Sequence, residues 1–248
     1  MTPNERWLDA NWPFVSARIP VAPARVVEIG CGPLGGFVPM LESAGYQATG
    51  VDPEAPDEPS YRRIEFERSE VPGPVDAVVA SASLHHVADV GKVLDLVNAM
   101  LAPGGLVLIV EWAQERFDEA TARWCFARLP RPEHVTPAKQ EHEPEHDHNH
   151  DHGWLHQRQA DWQQSGRSWD DYLRSWAEAE GIHAGHDILT ELDARFDSQH
   201  VTYGPYFFTD LAGTSEADEQ AAIDAGLIQA TRIQYAGRRR NRRPAPPA

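Results

Sequence analysis

The sequence predicts an α/β fold, a doubly wound, mostly parallel seven-stranded sheet that carries a helical cap insertion. Three observations predict it. Short β-branched runs alternate with helix-like stretches from residue 25 onward, which is the pattern of parallel βαβ units. The first of those runs ends in a glycine-rich turn. The alternation then breaks over 130–160, a polar, Pro- and His-rich stretch, and resumes near residue 200.

Taken in order, the first twenty residues read as an aromatic-rich helix (Trp7, Leu8, Trp12, Phe14) that ends around Pro20. The run Arg25-Val26-Val27-Glu28-Ile29 is short, β-branched and closed by Gly30, as a strand buried on both faces should be. A helical stretch over 36–44 stops at Gly45, and a second strand over 47–51 ends in Asp52. A weaker strand is expected near 63–66, then a strand over 75–80, a helix over 90–101 and a strand over 106–110. Within 154–196 two or three short helices are expected, with Trp162, Trp169 and Trp176 recurring every seventh residue. Ser168 followed by Asp171 marks one helix start. The Trp stripe is read as packing in preference to a pocket wall. The same preference holds for Tyr203, Tyr206 and Phe207. The chain closes with a strand near 200–208, a helix over 215–225 and a last strand near 228–235.

Composition narrows the function. The chain has 248 residues, 41% apolar, which suits one substantial core. A formal net charge of −16 argues against a nucleic acid partner, because binding phosphates needs a basic face. The one basic run, Arg238–Arg240 with Arg242 and Arg243, is read as part of a solvated tail over 238–248. Two cysteines, Cys31 and Cys125, make no disulfide framework and suit a reducing compartment. No apolar stretch long enough for a transmembrane helix and no signal peptide is read, so a cytoplasmic protein without a membrane partner is expected.

The motif with most chemistry is Glu28-Ile29-Gly30-Cys31-Gly32-Pro33-Leu34-Gly35. A strand ending in glycines lets backbone N–H groups approach a ligand with no side chain in the way. Asp52 follows about twenty residues on, where an acid can hold ribose hydroxyls. This points to an adenosine-type cofactor without choosing one. Three further features choose. Glu28 gives an acid-x-Gly-x-Gly form, the strand 75–80 leads into Ser81-Ala82-Ser83-Leu84-His85-His86-Val87, and Leu101-Ala102-Pro103-Gly104-Gly105 precedes the strand 106–110. In this order and spacing they resemble the class I S-adenosylmethionine-dependent methyltransferases, nearest the small-molecule, quinone-biosynthesis-like branch. The resemblance covers about residues 25–112.

It implies a Rossmann-like core over 25–129 that takes S-adenosyl-L-methionine (SAM), preceded by a helix (1–24) covering the cofactor site. A His-rich loop and helical cap (130–198) and the final strands (199–237) would follow. It also implies that Gly30, Cys31 and Gly32 face the methionine part of SAM, with Glu28 at the base of the loop. Asp52 would bind the ribose diol, and Ser81 and Ala82 would edge the cofactor. An acid after the third strand would meet the adenine amino group, and Glu67 takes that place, with Glu65 and Glu70 as competitors. His85, His86 and Glu111 should rim the same crevice, since ligands bind at the carboxyl ends of such strands. An imidazole there can accept a proton and a carboxylate can orient it.

The expected function is methyl transfer to a small-molecule acceptor by in-line displacement, with oxygen, nitrogen and carbon acceptors all open. The competing readings are a non-catalytic SAM- or metal-binding module and an NAD-dependent oxidoreductase. The module reading rests on the tract His142–His152, since seven of twelve histidines fall between His134 and His156. Its alternating imidazoles can share a Zn²⁺ or Ni²⁺ ion, but interleaved acids and Asn read as a low-complexity loop, so no metal site is assigned.

Overall fold

The computed structural model describes residues 1–130 and 153–240. They form two compact units, one over Met1–Ala10, Ala113–Ile182 and Tyr203–Arg232, the other over the rest.

The second unit carries most of a seven-stranded sheet of order β3-β2-β1-β4-β5-β7-β6. After the helix α1 (Pro3–Ser16), β1 (Arg25–Ile29) is buried from Val26 onward, Glu28 included. It leads through the glycine turn into a short α2 (Val38–Ser43), and β2 (Gln47–Val51) pairs parallel to β1, Glu28 opposite Gly50. The third strand is only Tyr61–Arg62 (β3), and the expected strand near 63–66 is replaced by a 3-10 turn, Phe66–Arg68. β4 (Val75–Ser81) lies parallel to β1 on its other side. α3 (Val90–Met100) starts where the Asp89 carboxylate accepts from Lys92 N, and it buries Val90, Val93, Leu94 and Val97. That i, i+3, i+4, i+7 stripe is the core face of an amphipathic helix. β5 (Leu101–Trp112) pairs parallel to β4 and is longer than its apolar centre.

The expectation of a mostly parallel sheet is corrected at one edge: the sheet is mixed, and antiparallel strands join the parallel ones. The five strands β3-β2-β1-β4-β5 are parallel, and the remaining two, β6 (Phe196–Gly204) and β7 (Arg232–Arg239), complete the other edge. Strand–helix alternation shows that a chain returns to the sheet but not from which end. β6 is also mostly exposed, unlike the parallel strands, so its sequence lacks the buried signature. Arg238 and Arg239, expected in a tail, lie in β7 and donate to the carbonyls of Gly104 and Leu101.

In the first unit, α4 (Glu119–Phe126), α5 (Trp154–Ser165) and α6 (Trp169–Glu180) surround an aromatic core. Ser168 caps α6 by accepting from Asp171 N at 3.2 Å, as the sequence signal requires. Trp169 is fully buried, donates Nε1–H to the Phe117 carbonyl at 2.5 Å and meets Phe117, Phe126 and Trp162 edge-on. The Trp stripe is packing within its own unit. Tyr206 and Phe207 are buried in the same unit, whereas Tyr203 is exposed beneath the Arg116 guanidinium. The buried Glu219 of α8 (Glu216–Asp224) accepts from Tyr206, Phe207 and Phe208 N–H. The third helix of the insertion, α7 (Gly185–Arg195), belongs to the sheet unit, where Arg195 pairs with Asp95 of α3.

No described helix is long and apolar enough to cross a membrane. The histidine tract 142–152 lies outside the described residues.

Candidate functional site

β1 delivers the glycine turn. Gly30, Gly32, Gly35 and Gly36 all have positive φ, between 57° and 85°, so the chain reverses there in a conformation only glycine adopts freely. Space reinforces geometry at Gly30, where a Cβ would lie 2.2 Å from the Ser83 Cβ. The turn and the loop after β4 therefore touch backbone to side chain. Ser83 adds a hydrogen bond from Oγ to the Ile29 carbonyl (3.1 Å).

Two acids, one in β1 and one just after β2, hold the turn from behind. Asp52 Oδ2 accepts from Gly32 N (3.1 Å) and Oδ1 from Glu54 N (2.7 Å). Glu28 is buried and its Oε2 accepts from Phe37 N (2.7 Å), at the start of α2. A Cβ at Gly36 would lie 2.4 Å from Glu28 Oε1, so the carboxyl braces the far side of the loop. Burial pushes the Glu28 pKa up to about 8, against the lowering pull of the Phe37 and Val38 N–H groups. Folded protein thus holds a proton that the unfolded chain releases near 4.5. The associated stability is complete below about pH 4.5 and is lost as pH rises through 8. Stability against thermal unfolding should therefore fall from pH 5 to pH 8 in the native chain by on the order of 1 kcal/mol per pH unit, and Glu28→Gln should flatten that slope.

The Cys31 side chain is buried, with its Sγ 2.8 Å from where a Gly50 Cβ would stand, so only its backbone is available to a ligand. Burial raises its thiol pKa, which leaves it unreactive. Glu67 is half-buried on the 3-10 turn after β3.

The loop after β4 has an unusual backbone. Ala82 has φ 49°, the one non-glycine residue with positive φ among the described residues, and its N–H donates to the Val110 carbonyl (2.8 Å). Such outliers persist only where the surroundings over-determine them. Here the determinant is Glu111, which is fully buried at the end of β5. Its Oε1 accepts from Ser83 N (2.8 Å) and Leu84 N (2.7 Å), and its Oε2 from Trp112 N (2.9 Å) and His85 Nδ1 (2.5 Å). Burial pushes this carboxyl up, but His85 and the N–H donors outweigh it and hold it below the ordinary carboxylate value.

The structure separates the histidine pair. His85 is buried and locked to Glu111, and His86 is exposed, its ring 4.0 Å from that of His85. His183, just before α7, donates its N–H to the His85 carbonyl (3.0 Å) and has Nε2 2.8 Å from the Val87 carbonyl.

Three contributors escape a reading of the sequence: Ser83, His183 and Tyr61. Tyr61 donates to the Gly35 carbonyl (3.3 Å) and fills the space beside Gly50. The glycines signalled that something stood close, but not which residue.

A family model described as a methyltransferase domain matches residues 5–160. The ubiquinone biosynthesis O-methyltransferase of Xylella fastidiosa (strain 9a5c) is 31% identical over 113 residues, 39% of this chain and 45% of that one. The chain spans about half the length of the curated relatives it matches. Two solved structures share the fold. An S-adenosylmethionine dependent methyltransferase from Mesorhizobium loti has a TM-score of 0.53 at 20% identity, covering 94% of this chain and 100% of its own. Geranyl diphosphate C-methyltransferase from Streptomyces coelicolor A3(2), solved with Mg²⁺, geranyl diphosphate and S-adenosyl-L-homocysteine, has a TM-score of 0.52 at 15% identity, covering 95% and 80%. With the glycine turn, the acid after β2 and the seven-stranded sheet, the match over more than half its length means that the chain belongs to the methyltransferase domain family, in the class I group that uses S-adenosylmethionine.

Proposed function

We propose that the protein transfers the methyl group of S-adenosyl-L-methionine to a small-molecule acceptor, leaving S-adenosylhomocysteine. The observation that carries this reading is the glycine turn, whose positive φ angles call for glycine and which the Asp52 carboxylate backs. Its residues fit the cofactor: a glycine backbone turn with a carboxylate at its edge where ribose hydroxyls can donate. Gly30, Cys31 and Gly32 would face the methionine part with backbone groups, Asp52 the ribose, Glu67 the adenine, and Ser81 and Ala82 the edge. When bound, SAM supplies a methyl group already activated on a sulfonium, so the protein's share is alignment and exclusion of water.

The His85–Glu111 pair supplies the remaining chemistry. The carboxylate accepts a hydrogen bond from Nδ1–H, which fixes the tautomer and leaves Nε2 to accept a proton from the acceptor. His86 would stand at the solvent side of that imidazole. The part the curated relatives play in ubiquinone biosynthesis supports a small-molecule acceptor, and the net charge of −16 disfavours nucleic acid.

The burial of His85 favours a second role for the pair, a clamp that keeps the Ala82–Leu84 loop against Gly30. The two roles differ in kinetics. A base gives the rate a pH dependence that His85→Gln removes, whereas a clamp loses stability and cofactor affinity together.

Calorimetric titration with S-adenosylhomocysteine tests the proposal. The native chain should bind, and Asp52→Ala should bind at least about 30-fold more weakly, roughly 2 kcal/mol. Asp52→Asn, which keeps an oxygen toward the turn, should fall between. A folded native chain that shows no binding would overturn the reading.

A further inference from the structure

The histidine pair sits on a single 3-10 turn, Leu84–His86. The bond within it, from His86 N to the Ser83 carbonyl, is 3.2 Å long. Such turns have poorer hydrogen-bond geometry than an α-helix, so this one does not hold a side chain in place by itself. Yet His85 Nδ1 lies 2.5 Å from Glu111 Oε2, closer than in an ordinary N–H···O bond. A contact that short survives only if the turn is held from outside.

Two side chains hold it. Glu111 fixes the start of the turn, where Oε1 accepts from Ser83 N (2.8 Å) and Leu84 N (2.7 Å). His183 fixes its end. The His183 backbone N–H donates to the His85 carbonyl (3.0 Å). Its ring Nε2 is 2.8 Å from the Val87 carbonyl and carries the proton there, because a carbonyl only accepts. These two bonds stand on either side of His86. His85 is thus held twice, through its imidazole by Glu111 and through its carbonyl by His183.

His183 has a firm seat of its own. It leads into α7, which buries Gly185, Ile188 and Leu192. Arg195 of α7 pairs with Asp95 of α3 at 2.7 Å, and α3 begins just beyond Val87. The helix that follows the turn and the helix that carries the grip are therefore tied to each other.

We propose that His183 is a positioning residue for methyl transfer, keeping the His85 imidazole in register with the Glu111 carboxylate. The role rests on the methyltransferase reading, but the grip is measurable without turnover. Its testable part is the ring bond to Val87, since the backbone bond survives every substitution except proline.

Proton NMR of the full chain with ¹⁵N-labelled histidine tests it. The His85 Nδ1–H should give a far-downfield signal, assigned by its loss in His85→Gln. His183→Phe keeps a ring without the donor. It should move that signal upfield and speed its exchange with water at least about tenfold. His183→Asn, too short to reach Val87, should do the same. His183→Gln, whose amide nitrogen reaches where Nε2 stood, should restore the native signal. Thermal unfolding identifies which variants are folded. A native chain without the downfield signal, an unmoved signal in a folded His183→Phe or His183→Asn, or a folded His183→Gln displaced as far as they are would each overturn the proposal. A folded native chain that does not bind S-adenosylhomocysteine would instead overturn the reading beneath it, and the signal would still decide the grip.

Discussion

Replacing Gly30 by alanine is expected to abolish S-adenosylhomocysteine binding, by at least about 100-fold in Kd, or roughly 3 kcal/mol. Two independent costs meet at one methyl group. The φ of 76° is a left-handed conformation that costs a side-chain-bearing residue about 1–2 kcal/mol. The added carbon would also stand 2.2 Å from the Ser83 Cβ and 2.7 Å from its Oγ, less than any packed contact allows. The turn must open, or the loop after β4 must withdraw, and either movement disturbs the backbone groups proposed to meet the cofactor. The double variant Gly30→Ala/Ser83→Gly separates the costs. It removes the clash and keeps the strain, so it should recover part of the lost affinity in the same titration. Equal affinity of Gly30→Ala and the native chain would mean that the turn is not where the cofactor lies.

How much of this was legible beforehand depends on whether a residue speaks for itself or through a distant neighbour. β4 and the centre of β5 announce themselves because burial on both faces demands unbroken Val, Ile, Leu and Ala, and β1 does so although Glu28 interrupts its run. α3 and α6 announce themselves through their caps, Asp89 and Ser168. β6 does so less sharply, expected near 200–208 and found at Phe196–Gly204, because an exposed strand carries no such demand, and the mixed character of the sheet is set by connections whose direction no local pattern encodes. The site divides along the same line. Gly30 and Asp52 are readable from a motif of fixed spacing. The bracing of the turn by Glu28 is not, since its partner Phe37 is nine residues on and the contact depends on how the loop closes. The unequal fates of His85 and His86, adjacent in sequence, follow only from where Glu111 ends β5. Tyr61 was expected in a loop before a strand near 63–66; it instead opens the edge strand and supports two glycines.

Glu111→Gln is expected to lower the rate of methyl transfer by on the order of 1,000-fold and the unfolding temperature by on the order of 10 °C. The native carboxylate faces two pairs of N–H donors, Ser83 with Leu84 on one oxygen and Trp112 with His85 on the other. A carboxamide has one accepting oxygen and one donating nitrogen. Whichever way it turns, its NH₂ confronts one of those pairs, and a buried donor set facing a donor costs about 3–5 kcal/mol. If the NH₂ faces His85, the imidazole must present Nδ1 as an acceptor, and the proton moves to the nitrogen proposed to work as base. The pH dependence has a definite sign. The Glu111 pKa is lowered in the folded state, so its stabilisation is present above the ordinary carboxylate value of 4.5 and is lost as pH falls through the lower, folded value. The native chain should therefore lose stability on acidification more steeply than Glu111→Gln. Unfolding curves across that range, read beside single-turnover rates above it, decide between the two roles of the pair. A variant that is less stable yet transfers methyl groups at the native rate once bound to SAM would make Glu111 a clamp of the Ala82–Leu84 loop and remove His85 from the chemistry. A rate lost in a chain that still binds S-adenosylhomocysteine with native affinity would place the oriented imidazole in the proton transfer itself.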